Sequence, residues 1–146
     1  MARSRLRVWA ATGCWLMLAA AQPGCRRPTG CPAGTAPIAG RATAAGLWCQ
    51  GAEPGHTFWV ELYPGTKQAR QACPFIVKSL DGHYQSWHPE GAAWVSGTYA
   101  HGRRQGRWLQ VDGAGKKVAA GDYRDGQLVQ GVPVGVSATC DSIAAP

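Results

Sequence analysis

Beyond Gly55 the chain alternates apolar and polar residues in short runs separated by glycine-rich corners. Between residues 94 and 100, Val95, Gly97 and Tyr99 fall on one side of a period-2 pattern; residues 101–105 supply a turn, residues 106–111 return, and residues 112–115 turn again. A strand of about six residues and a turn of about four, taken twice, nearly fill 24 residues, so the pattern predicts one β-hairpin per 24. The interval recurs along the chain. It separates Phe75 from Tyr99, Tyr99 from Tyr123, Tyr63 from Trp87 and Tyr84 from Trp108, and the glycine pairs Gly82/Gly106, Gly91/Gly115, Gly97/Gly121 and Gly102/Gly126. A ligand-gripping glycine loop has no reason to recur at a constant interval, whereas a stacked structural unit does. Three copies are expected, the first and last imperfect.

Asp81-Gly82, Glu90-Gly91, Asp112-Gly113 and Asp125-Gly126 supply turn signals, since glycine accepts the positive φ of tight hairpin corners. Gly97 and Gly121 precede Tyr99 and Tyr123 by two residues, on the same face, and leave room for an aromatic from an adjacent strand to lie across the backbone. Ten of the 13 aromatics lie between Phe58 and Tyr123, so aromatic rungs shared between hairpins are expected to stand in for a deep core. The fold expected is all-β, an elongated antiparallel meander of hairpins over residues 55–134, with 135–146 as a C-terminal tail.

The N-terminal third reads differently. Arg3, Arg5 and Arg7 precede an uncharged run from Val8 to Ala21, followed by small residues, so residues 1–24 read as an export signal rather than a span. Ala19-Ala20-Ala21 fits ordinary signal cleavage, and Gly24-Cys25 resembles the end of a bacterial lipobox. Cys14 falls inside the signal. Ordinary cleavage leaves five cysteines, and lipidation of Cys25 leaves four, Cys31, Cys49, Cys73 and Cys140, which can close two disulfides. The lipoprotein route is therefore favoured, although Gln22 and Pro23 depart from the usual lipobox. Residues 25–54 are rich in Ala, Pro and Gly without strand or helix periodicity, and read as a linker or a small lobe closed by Cys31 and Cys49. Four cysteines allow three pairings; Cys31 with Cys49 and Cys73 with Cys140 is the one expected.

The formal charge of +7 falls to +4 once Arg3, Arg5 and Arg7 are removed, too mild and dispersed to indicate nucleic acid. "SGTYAHGRRQGRWLQVDGAG", with "DGHYQSWHPEG" before it and "AGDYRDGQ" after, resembles the MORN repeat, and more closely its bacterial variant in the YwqK-like antitoxin family of toxin-antitoxin systems. Gly97, Tyr99, Gly102, Gly106, Trp108, Val111 and Gly115 carry the pattern; Gly82, Tyr84, Trp87, Gly91, Gly121, Tyr123 and Gly126 occupy matching positions in the flanking copies. The first copy departs at Cys73 and Lys78, the last at Gln130 and Val132. The resemblance implies an elongated sheet of hairpins without catalytic activity, and antitoxin function as one inheritance.

Candidate chemistry is sparse. A P-loop needs G-x-x-x-x-G-K-[ST], but Gly102 to Gly106 is one residue short and Arg107-Trp108 follows. His56, His83, His88 and His101 lack metal-ligand spacing, Ser79, Ser86, Ser96 and Ser137 lack a nucleophile elbow, and Asp81, Glu90, Asp112 and Asp125 fall mostly at turns. No catalytic residue, metal or cofactor is expected. Arg103, Arg104 and Arg107 around one turn, with Lys116 and Lys117 around the next, can form a basic edge for an acidic partner or anionic headgroups. Trp87, Trp94 and Trp108 can form an aromatic shelf for a polysaccharide or protein, although repeat columns also suit a core. The expectation is a non-enzymatic bacterial envelope lipoprotein, periplasm-facing or in the outer membrane. It is tethered through Cys25 and displays its hairpins to a protein or envelope polymer. The alternative is an antitoxin or immunity protein that neutralises a toxin.

Overall fold

The computed structural model describes residues 29–90, 93–136 and 139–145. Ten strands follow one another as β1 Ala36–Ala42, β2 Gly46–Gln50, β3 His56–Leu62, β4 Ala69–Ile76, β5 Ser79–Leu80, β6 Gly82–Trp87, β7 Ala93–Ala100, β8 Arg103–Val111, β9 Lys117–Arg124 and β10 Gln127–Gly131; a single helical turn, α1 Thr139–Ser142, comes last. They form one antiparallel sheet in chain order from β1 to β10, an open meander. β5 and β6 together return along β4, interrupted at Asp81-Gly82.

The 24-residue spacing is visible in the corners. Ile76 faces Ser79, Ala100 faces Arg103 and Arg124 faces Gln127, so Val77-Lys78, His101-Gly102 and Asp125-Gly126 are three two-residue loops in phase. In the second and third, both central residues have positive φ, 51° and 79° at His101-Gly102 and 50° and 85° at Asp125-Gly126. That is the twist-matched turn that suits Asn, Asp and Gly. The other turn signals serve differently. Asp112 Oδ1 accepts from the Ala114 and Lys116 N–H groups, which fixes the β8–β9 corner. Asp81-Gly82 marks the kink between β5 and β6 rather than a hairpin corner, and Gly91 lies outside the described residues.

Alternation gives the sheet two faces. One carries Trp48, Cys73, Phe75, Tyr84, Val95, Tyr99, Trp108 and Tyr123, and the segment after β10 lies over it through Val134 and Cys140, with Val136 and Ile143 beside them. The stretch read as a tail is therefore a strap over the aromatic column. Burial, with the negative charge of Asp141 adding, pushes the Tyr99 phenol up to about 12, so it packs as a neutral group. On the opposite face, among the described residues, a buried cluster forms near β2–β4 and the end of β6, where Cys49, Val60, Ala72 and Trp87 pack with Cys31, Leu47 and Phe58. Disulfides pin both covers: Cys31–Cys49 and Cys73–Cys140, the pairing expected from the sequence.

Two readings change. The stretch 25–54 contributes β1 and β2 to the sheet, so the hairpin series starts ahead of Gly55. β1 escaped the periodicity because it is an edge strand exposed along nearly its whole length, so nothing requires it to alternate. The expectation of aromatics lying across glycines holds at Gly97, where a Cβ would sit 2.0 Å from the Trp108 ring. At Gly121 the space is taken instead by the Leu128 side chain and the Val132 carbonyl, because the last copy has no aromatic to supply.

Candidate functional site

The cations expected to form one edge are divided by strand alternation. Arg104 faces Tyr99 across the ladder and so lies on the strap face. Its Nη1 donates to the Val134 carbonyl at 2.6 Å and to Tyr123 Oη at 3.3 Å, and its guanidinium carbon lies 5.0 Å from the Trp108 ring centre and 5.1 Å from that of Tyr123. Tyr123 Oη also accepts the Val134 N–H at 3.0 Å. Arg104 thus clamps the strap to the aromatics. Arg103 and Arg107 lie on the other, open face, where Arg107 pairs with Asp122 at 3.0 Å. Lys116 and Lys117 sit at the far end of β8, beside Val111, because consecutive corners of a meander lie on opposite sides of the sheet. At ~3.3 Å per residue, Arg103 and Val111 are about 26 Å apart along the strand.

Sequence reading missed Arg124, which joins the first two arginines. It lies two residues beyond Asp122 in β9, on the same open face, and is exposed, as are Arg103 and Arg107. Among the described residues neither Arg103 nor Arg124 has a carboxylate at ion-pair distance. The signal was available, since opposing Arg107 and Asp122 across a predicted hairpin places Arg124 on their side. Around the three arginines the open face carries Thr98, Ser96, Gln105 and Asp122 on neighbouring strands, and the Asp125 carboxylate accepts from Gln105 Nε2 at 3.5 Å at the adjoining corner, a polar surface on which three cations face two carboxylates.

The aromatic shelf is not assembled. Trp108 is fully buried between Tyr84 and Tyr123, and Trp87 is buried on the opposite face, its carbonyl accepting from Tyr63 Oη at 2.7 Å. Trp94 alone of the three stays exposed, at 39 %, with its indole stacked on the His88 ring at 5.1 Å. His88 Nε2 in turn lies 3.2 Å from the Val111 carbonyl, so the stack is braced by the next hairpin.

Trp94 lines a groove of about 270 Å³ between the strap at Gly135-Val136 and strands β4 to β8. Its polar lining includes Arg70, Gln71, Tyr84, Ser86 and Gln110. Tyr84 Oη donates to Gln71 Oε1 at 2.9 Å, Gln71 Nε2 donates to the Glu61 carboxylate, and Arg70 pairs with Glu61 at 3.1 Å. This relay fixes which way the buried Gln71 carboxamide points and neutralises the one cation in the groove wall.

The remaining candidates serve the fold. Asp81 Oδ2 accepts from the His101 N–H at 3.1 Å, and Asp125 N–H donates to Gln105 Oε1 at 2.8 Å. His56 pairs with Glu53, and burial lowers the pKa of His83. Among the described residues no group of three or more metal-ligating side chains converges. Cys25 lies outside the described residues. No family model, curated protein or solved structure matches the chain.

Proposed function

We propose that the chain is a non-enzymatic binding module of the bacterial cell envelope, exported, anchored by lipid at Cys25, and presenting the open face of a MORN-like hairpin array to an anionic protein or envelope polymer. One observation carries this reading: Arg103, Arg107 and Arg124 stand together, exposed, on the open face of the sheet, and among the described residues only Arg107 of the three is ion-paired, to Asp122. An array of side chains held by a ladder and by two disulfides presents its charges with little reorganisation, which lowers the cost of binding an extended partner. Two disulfides also fit an oxidising compartment. The Asp81 and Asp112 carboxylates are engaged with backbone N–H groups, which supports a role in architecture rather than acid-base chemistry.

The test is co-sedimentation of the full-length protein with isolated envelope polymers, alongside cross-linking in cells. Charge reversal at Arg103, Arg107 and Arg124 together should reduce capture at least tenfold, and reversal of Lys116 and Lys117 should change it much less. Capture indifferent to all five would remove the open face from the reading. Intact mass of membrane-extracted protein tests the anchor, and an unlipidated chain starting at Gln22 would refute it. Cross-linking to a toxin encoded beside this chain would favour the antitoxin alternative.

A further inference from the structure

The groove beneath the strap is separate from the open face, and its chemistry is different. Its volume of about 270 Å³ lies just below the ~300–1,000 Å³ typical of sites for drug-sized ligands, so it suits one small ring. The lining mixes one partly exposed indole with several neutral hydrogen-bonding groups. Its guanidinium is already paired with Glu61, so no net charge is offered to a ligand. Ser86 and Gln110 make no side-chain hydrogen bond among the described residues, whereas Gln71 and Tyr84 are oriented by theirs.

An uncharged ligand with an apolar face and a polar rim meets these demands together. A pyranose ring has that form: its axial C–H bonds make a face that packs on an aromatic surface, and its hydroxyls radiate from the edge as paired donors and acceptors. The geometry points to this groove as a binding site for one pyranose unit of a neutral glycan, with the ring against Trp94 and its hydroxyls within reach of Gln110 and of Ser86 at the groove floor, beneath which Gln71 is buried. The His88 stack holds the indole in place before the sugar arrives, and the Tyr84–Gln71–Glu61 relay does the same for the floor. Preorganisation of this kind reduces the ordering cost that otherwise leaves single-ring sites weak.

The test uses the oxidised full chain, isotopically labelled, titrated with cellotetraose and separately with chitotetraose while the Trp94 indole N–H and Gln110 side-chain amide resonances are followed. Saturable shifts confined to the groove are expected with at least one of the two, with Kd of about 1 mM or tighter. Trp94→Ala and Gln110→Ala should each weaken binding about tenfold, and Trp94→Phe should restore most of the loss. Trp94 is partly exposed, so the variants should keep the wild-type melting temperature, and that measurement accompanies each titration. Absence of saturable shifts with both sugars, or binding unchanged in folded Trp94→Ala, overturns the assignment. Arg103, Arg107 and Arg124 lie outside the groove lining, so titrations without saturable shifts, beside polymer capture that still fails on arginine reversal, would sink this site and leave the open-face reading standing.

Discussion

The hairpins β4–β5 and β7–β8 occupy the same phase of a 24-residue period and solve the same two problems differently. At the corner, the second uses His101-Gly102, whereas the first uses Val77-Lys78, with a β-branched residue held at φ 56°. On the strap face, the second has Gly97 lying bare beneath the Trp108 ring, and the first has Cys73 bonded to Cys140. A backbone spot on this face must be covered by something, and either a neighbour's indole or the chain's own C-terminal segment will do. The departure at Cys73 therefore attaches the strap to the array, and is more than decay at the end of a repeat.

Breaking the covalent solution should have the largest effect. Cys73→Ser with Cys140→Ser opens a 67-residue loop and should cost about 4 kcal/mol, against about 3 kcal/mol for Cys31→Ser with Cys49→Ser, whose loop is 18 residues. Denaturant unfolding of the two double variants measures the gap; equal losses would mean that the strap is held mainly by its other contacts. Next comes the packed solution. Gly97→Ala forces the Trp108 ring to move and should cost about 1–3 kcal/mol, while Gly113→Ala, with open space around it, should be near neutral by the same measurement. A harmless Gly97→Ala would contradict the close approach.

Smaller effects sharpen the contrast within one strand. Arg104→Ala removes the hydrogen bond to Val134 and the contacts with Trp108 and Tyr123, and should lower stability by about 1–2 kcal/mol and speed hydrogen exchange at Val134. Arg103→Ala, one residue away on the other face, should stay within about 0.5 kcal/mol. One modest change should be a gain. Giving the first corner the chemistry of the third, with Val77→Asp and Lys78→Gly, relieves a β-branched residue in the left-handed region and should raise stability by about 1 kcal/mol. A loss in thermal melts would show that Val77 is held for some other reason.

Features that repeat were legible in the sequence, and features that occur once were not. The period, the corner at 125–126 and the aromatic column followed from spacing, the turn expected over 101–105 proved a two-residue corner at 101–102 with β8 already starting at Arg103, and the disulfide pairing agreed with the expectation. β1 was hidden because an edge strand need not alternate, and the strap because it packs over the sheet as irregular chain. The arginines were misgrouped for a simpler reason. Neighbours in sequence point to opposite faces in a strand, so Arg103 and Arg104 separate while Arg107 and Arg124, 17 positions apart in the sequence, share a face. Trp94 was seen, but only the three-dimensional fold could separate it from Trp87 and Trp108, which went inside.

The Cys73–Cys140 bond makes a single covalent ring of everything from the end of β4 to α1. The exposed corner at residues 112–116 lies on that ring, with Lys116 and Lys117 offering a tryptic site. One cut there turns the ring into a line without releasing a fragment, and the nicked molecule stays one body until a thiol is added. In an oxidising compartment, where reductants are scarce, such a chain would survive its first cleavage.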